Sequence, residues 1–103
     1  MAEIEIGEER ETSHGWSYDV AVFDQGKTYR HTVTLSWADY DLWSGGSTPP
    51  SRVLHRLFTF LLDHEPADAI LTRFDGSVVR RYFPQVDAWM KNSRPGDHAD
   101  STT

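Results

Sequence analysis

Polar and apolar side chains alternate with a period of two along the first third of the chain. A short run at positions 4–6 is followed by two longer ones at 16–22 and 29–37. A period of two is typical of β-strands that bury one face. Gly26 lies between the two longer runs and suits the positive φ of a hairpin turn. The pattern predicts a three-stranded antiparallel β-meander with its large apolar side chains facing inward.

The apolar spacing changes to a helical period after Pro50. Residues 53–62 repeat their apolar side chains every three to four positions, and Pro66 marks the end of the pattern. This spacing predicts one long amphipathic helix that covers the sheet. Pro50 itself suits the first helical turn.

Several shorter helices are predicted around the long one. A turn of helix at 39–43 would end at the two glycines of 45–46, and a last apolar turn is expected at 86–90. Between them, the pattern predicts a helix over 67–74 and another over 77–83, the latter capped by Asp75. The inward residues of the first of these would be Ile70, Leu71 and Phe74.

These elements predict an α+β fold: a three-stranded antiparallel β-meander followed by one long and two or three short α-helices packed on one sheet face. A chain of 103 residues with four Trp, four Tyr and five Phe suits one domain, which we place at residues 1–91. Residues 92–103 are polar, and we expect them to form a disordered tail.

Composition narrows the class of protein further. The chain has no cysteine, which excludes disulfides and thiolate catalysis and suits a reducing cytoplasm. The longest apolar run, at 57–62, is about a third of the roughly 20 residues that a membrane span needs. The acidic start of the chain gives no export signal. A net charge of −6 disfavours binding to nucleic acid or to anionic lipid.

Short motifs between residues 15 and 85 resemble a small bacterial family of about this length to which no reaction is assigned. The resemblance implies a sheet followed by helices and a bacterial source; it implies no cofactor and no partner. Gly76 stands where the family pattern has an apolar residue, which weakens the predicted start of the helix at 77–83. The motifs are His31-Thr32-Val33, Asp39-Tyr40, Gly45-Gly46, Pro50, Phe60-Leu61-Leu62, Ile70-Leu71, Phe74-Asp75 and Tyr82-Phe83-Pro84.

His31 is the histidine of greatest interest, because it lies on the apolar face of the third predicted strand. A ring nitrogen there needs a polar partner, so His31 is either a structural histidine or a ligand-binding one. None of the five histidines has the spacing of a helical HExxH site, and we predict no metal ion.

Segment 39–48 is a second candidate, since it follows a strand and combines acidic, aromatic and small polar residues. Asp39 and Asp41 either cap backbone N–H groups or act as acids, and the Ser-Gly-Gly-Ser-Thr stretch is either a turn or an anion-binding layout. Tyr40 and Trp43 are candidate exposed aromatic groups, of the kind enriched at protein interfaces. No serine lies in a GxSxG context, and we predict no catalytic residue.

Arg80 and Arg81, with Arg73 and Tyr82 nearby, form the third candidate. Guanidinium groups pair with phosphate or carboxylate, so this patch either contacts nucleic acid or an acidic partner, or pairs with the acidic N-terminal segment of the chain.

Taken together, the sequence favours a non-enzymatic binding or adaptor module that acts through protein contacts, either with an unknown protein or as a homodimer. The open sheet face and an edge strand would supply the contact. One alternative is a small-molecule or nucleotide-binding protein that uses segment 39–48 with His31. A second alternative is a nucleic-acid-binding regulator, which the acidic charge disfavours. No cofactor is predicted.

Overall fold

The alternating runs form three long antiparallel strands. In the computed structural model of the protein, which describes residues 2–92, these are β1 (Glu3–Glu11), β2 (Gly15–Asp24) and β3 (Lys27–Ser36). β2 and β3 pair continuously on either side of a two-residue turn at Gln25 and Gly26, whose φ angles are 52° and 78°. Two positive φ angles match the twist of the flanking strands, so the predicted hairpin is confirmed.

An irregularity in β1 places an exposed glutamate opposite a buried tyrosine. The pairing of β1 with β2 shifts between Ile6 and Glu9, so that Glu9 lies opposite Tyr18. The buried Tyr18 hydroxyl donates a hydrogen bond to the Glu9 carboxylate. Burial, together with this bond, raises the pKa of Tyr18 above its ordinary value.

Four helices follow or connect the strands: α1 (Trp37–Ser44), α2 (Pro50–His64), α3 (Gly76–Tyr82) and α4 (Val86–Asn92). Ser36 caps α1, its hydroxyl accepting from the Asp39 N–H at 3.1 Å, and Gly45 ends that helix with a φ of 63°. α2 is the predicted long helix. Asp75 caps α3 as expected, because its carboxylate accepts from the Ser77 N–H.

The prediction of a helix over 67–74 is wrong. A 3₁₀ turn at Ala67–Ala69 is followed by a short strand, β4 (Arg73–Asp75), which pairs parallel to β3. Phe74 is buried between exposed Arg73 and half-buried Asp75, as a strand on a sheet requires. The sheet therefore has four strands in the order β1-β2-β3-β4, and not three, while the α+β class is confirmed.

The hydrophobic core lies between one face of this sheet and the helices. The other face carries mostly polar side chains, among them Asp19, Arg30 and Thr32. The predicted tail falls outside the described residues, apart from Asn92, which ends α4. Fully buried core side chains include Tyr18, Val22, Val33, Leu35, Trp43, Val53, Leu54, Leu57, Phe58, Phe60, Val86 and Met90.

Gly15→Ala tests the closeness of β2 and β3 at the open end of the hairpin. A methyl group at position 15 would lie 2.0 Å from the Leu35 carbonyl oxygen and 2.8 Å from the Ser36 Cα, so the backbone must shift. We expect the free energy of unfolding, measured in urea, to fall by at least about 2 kcal/mol. Ser17→Ala, on the same strand, is the control and should cost less than about 1 kcal/mol. Equal stability of the two variants would contradict the geometry.

Candidate functional site

Arg80, on α3, bridges two carboxylates that belong to different helices. Its Nη1 lies 3.1 Å from Oδ1 of Asp39 on α1, and its Nε lies 3.1 Å from Oδ1 of Asp87 on α4. The indole N–H of Trp43 donates to the same Asp87 oxygen at 2.8 Å. These bonds join α1, α3 and α4 through charged groups, and the second Asp87 oxygen accepts from Arg80 Nη2 at 3.1 Å. Arg80, Asp39, Asp87 and Trp43 are together called the Arg80 cluster below.

The two carboxylates of the Arg80 cluster respond differently to their surroundings. Asp39 is only 5% exposed, and burial raises its pKa, with the charge of Arg80 offsetting part of the effect. Burial acts in the same direction on Asp87, but hydrogen bonds from Trp43 and Arg80 outweigh it and lower the pKa. Both carboxylates are bound to Arg80, which is what a structural clamp requires.

Segment 39–48 is an ordered helix end and turn whose polar groups bond to one another. The Tyr40 hydroxyl donates to the Thr48 carbonyl. The Gly46 N–H donates to Oγ of Ser44, and the Ser47 hydroxyl donates to the Ser44 carbonyl, both at 2.8 Å. These contacts bond several polar groups of the segment within the chain, whereas the buried Thr48 hydroxyl has no hydrogen-bond partner among the described residues.

Trp43 is fully buried, which corrects the expectation that it is an exposed group. Its ring lies against the start of α3. A methyl group on Gly76 would come within 3.4 Å of two of its ring carbons. Glycine at the first position of α3 therefore leaves room for the indole, where an apolar side chain would crowd it.

His31 is 4% exposed and anchors the segment that precedes β4. Its Nδ1 lies 2.7 Å from the Leu71 carbonyl oxygen, which only accepts, so this nitrogen carries the hydrogen. The ring also contacts that of Phe58, with 5.3 Å between centroids. Nε2 is buried and has no hydrogen-bond partner among the described residues. One ring nitrogen of His31 is thus bonded within the chain, and whether the residue is structural or ligand-binding stays a prediction.

Arg81 lies on the exposed side of α3 and forms no ion pair among residues 2–92. Its neighbour Tyr82 is 72% exposed. The two arginines therefore have different environments, because Arg80 belongs to the cluster and Arg81 faces solvent.

An apolar cleft of about 330 Å³ opens between the C-terminal end of α2 and α3. One wall is formed by α2 and the 3₁₀ turn, the other by α3, and Phe74 of β4 lies between them. Tyr82 and Leu71, which is 52% exposed, lie at the rim. The residues that line this α2–α3 cleft are Leu61, Glu65, Ala69, Ile70, Leu71, Phe74, Val78, Val79, Tyr82 and Phe83.

Sequence reasoning missed the α2–α3 cleft, although it noted Tyr82. It expected Leu71 to face inward on a helix at 67–74. Because that segment is instead a turn followed by a strand, the Leu71 side chain is half exposed while its carbonyl bonds to His31. No periodic signal in this short stretch distinguishes the two arrangements.

Two other clefts are more polar. One crosses the outer sheet face above Gly7 and is lined by side chains that include Asp19 and Arg30. Asp19 there is already held by Arg10, with 2.9 Å between Oδ1 and Nη2. The other is lined by four residues, Ile6, Ser51, Arg52 and His55.

Comparison with known proteins adds no assignment. No protein-family model, curated protein or solved structure matches this chain. Within residues 2–92, no group of three or more His, Asp or Glu side chains has the arrangement of a metal site. No helix in the same range is long and apolar enough to cross a membrane.

Asp87→Asn tests the Arg80 cluster. The amide keeps an acceptor for Trp43 but loses the charge that binds Arg80, so we expect a loss of about 1–2 kcal/mol at pH 7 in urea unfolding. Since the folded protein lowers the pKa of Asp87, the wild type loses this stabilisation as pH falls through that pKa. The difference between variant and wild type should therefore shrink in acid.

Asp41→Asn is the matched control, because Asp41 is exposed on α1 and its side chain makes no ion pair among the described residues. It should change the free energy of unfolding by less than about 0.5 kcal/mol. A stability difference between Asp87→Asn and wild type that stays constant from neutral to acid pH would contradict the electrostatic account.

Proposed function

We propose that this protein is a non-enzymatic protein-binding module whose contact surface is the α2–α3 cleft. The observation that carries the proposal is an open apolar cleft with two large side chains, Leu71 and Tyr82, exposed at its rim. Exposed apolar side chains around a concave surface are typical of binding sites. The cysteine-free composition favours the cytoplasm as its location.

The titratable groups support binding over catalysis. The carboxylates of Asp39 and Asp87 are bound to Arg80, and neither lines the α2–α3 cleft. Glu65 is the one ionisable carboxylate in the lining, and the side chains around it are mostly apolar. An isolated carboxylate beside apolar walls suits recognition of a partner.

The sheet itself is a poorer contact surface than the sequence analysis expected. Its outer face is mostly polar, and the edge strand β1 carries five glutamates in nine residues. Charged side chains on an edge strand oppose pairing with another strand. The contact surface is therefore better placed at the α2–α3 cleft, on the opposite edge of the sheet from β1.

The two alternative functions have weaker support. Segment 39–48 bonds several of its polar groups internally, which leaves fewer of them for a small ligand. A nucleic-acid regulator would need a basic surface, whereas residues 2–92 hold nine Lys and Arg against fourteen Asp and Glu. Both alternatives stay predictions without a supporting contact in the structure.

Selection from a displayed library of random peptides tests the proposed function. The protein is kept dilute, and the affinities of the selected peptides are measured for wild type and for variants. We expect the selected peptides to share a large apolar side chain. Leu71→Ser or Val78→Ser should lower the affinity for these peptides by about tenfold or more.

Trp37→Ser is the matched control, because Trp37 is 55% exposed but does not line the cleft. It should leave the affinities unchanged. Failure to select any peptide, or affinities that depend on Trp37 and not on the cleft, would contradict the proposal.

A further inference from the structure

The α2–α3 cleft carries an exposed aromatic side chain beside an apolar hollow. Tyr82 is 72% exposed, yet it also forms part of the lining together with Val78, one helical turn away. In a two-fold interface the same surface of both copies is in contact, so that surface must be complementary to itself. A protruding ring next to a cleft meets this condition. The arrangement permits each of two copies to insert its ring into the other.

Charged residues in and beside the cleft have opposite signs. Glu65 lines the wall formed by α2, and exposed Asp68 lies on the adjoining 3₁₀ turn. Arg81 flanks the opposite wall, next to Tyr82 on α3. Neither Glu65 nor Arg81 forms an ion pair within residues 2–92. A two-fold axis that runs along the cleft would bring the acidic wall of one copy toward Arg81 of the other, twice per dimer.

We infer that the occupant of the cleft is Tyr82 of a second copy of this chain, in a two-fold dimer with Arg81 of each copy paired to Glu65 of the other. The inference rests on the proposed function, since it names the partner for the same surface. The β1 edge provides no competing route to a dimer, because pairing two such edges would bring glutamates together.

The proposed pairing of Arg81 with Glu65 between copies can be tested by exchanging the charges. Arg81→Glu alone places two acids opposite each other at both contacts, and Glu65→Arg alone places two bases there. In a mixed dimer of these two variants, every contact again joins an acid to a base. A two-fold dimer therefore predicts that each variant dimerises more weakly alone and that the mixture associates like the wild type.

Sedimentation equilibrium from about 1 μM to about 1 mM measures the dissociation constants. A contact centred on one cleft is at the small end of protein interfaces, so we expect a constant in the micromolar range or weaker. Each charge variant should weaken the dimer by about tenfold, and their equimolar mixture should restore the wild-type value. Tyr82→Ser should weaken it by about 30-fold or more.

Trp37→Ser again serves as the control and should dimerise like the wild type. Circular dichroism and thermal melting of every variant establish that the fold is retained, which exposed positions 81 and 82 favour. A wild type that stays monomeric over the whole range overturns the inference, as does a dimer that is insensitive to Tyr82 or that the mixture fails to restore. Peptide selection tests the proposed function separately. If the protein is monomeric but selected peptides bind through the cleft, the proposed function holds, and the partner is a different protein.

Discussion

The bridge that Arg80 makes between Asp39 and Asp87 is the constraint on which the helical part of this fold depends. α1, α3 and α4 have eight, seven and seven residues. Isolated helices of this length do not form in water, so their stability must come from tertiary contacts. One guanidinium joins all three, and Trp43 adds a buried hydrogen bond to the same carboxylate. These bonds add to the burial of Gly76 and Val79 in holding α3 over the sheet.

The same helix that is held by Arg80 presents the proposed contact surface. Arg80 and Tyr82 are two residues apart, which is about 200° around a helix, so they point in nearly opposite directions. One side of α3 carries Arg80 and its ion pairs, and another side, which includes Val78 and Tyr82, lines the α2–α3 cleft. The ion pairs of Arg80 add to the core contacts of Val79 and the ring contact of Phe83 with Phe60, which together hold this short helix in place.

Local sequence patterns predicted the elements that local physics determines. Alternation identified the β2–β3 hairpin, helical spacing identified α2, and Asp75 marked the start of α3. β4 was missed because its parallel pairing with β3 joins residues about forty positions apart, which no short-range period records. The direction of Trp43 and the bonds of Arg80 were missed for the same reason, since Arg80 and Asp39 are 41 residues apart. The cleft depends on β4 and α3 together, so it too lay beyond prediction.

A mixed sample of isotope-labelled and unlabelled protein gives the most direct test of the central claim, that two copies meet at the α2–α3 cleft. The experiment selects nuclear Overhauser effects between protons of the unlabelled copy and methyl groups of the labelled copy. The assigned methyl groups show where the two copies are in contact. The account predicts contacts from the Tyr82 ring to the methyl groups of the cleft, such as those of Leu71 and Val79. Intermolecular contacts along β1, or none at a concentration where sedimentation shows a dimer, would contradict it.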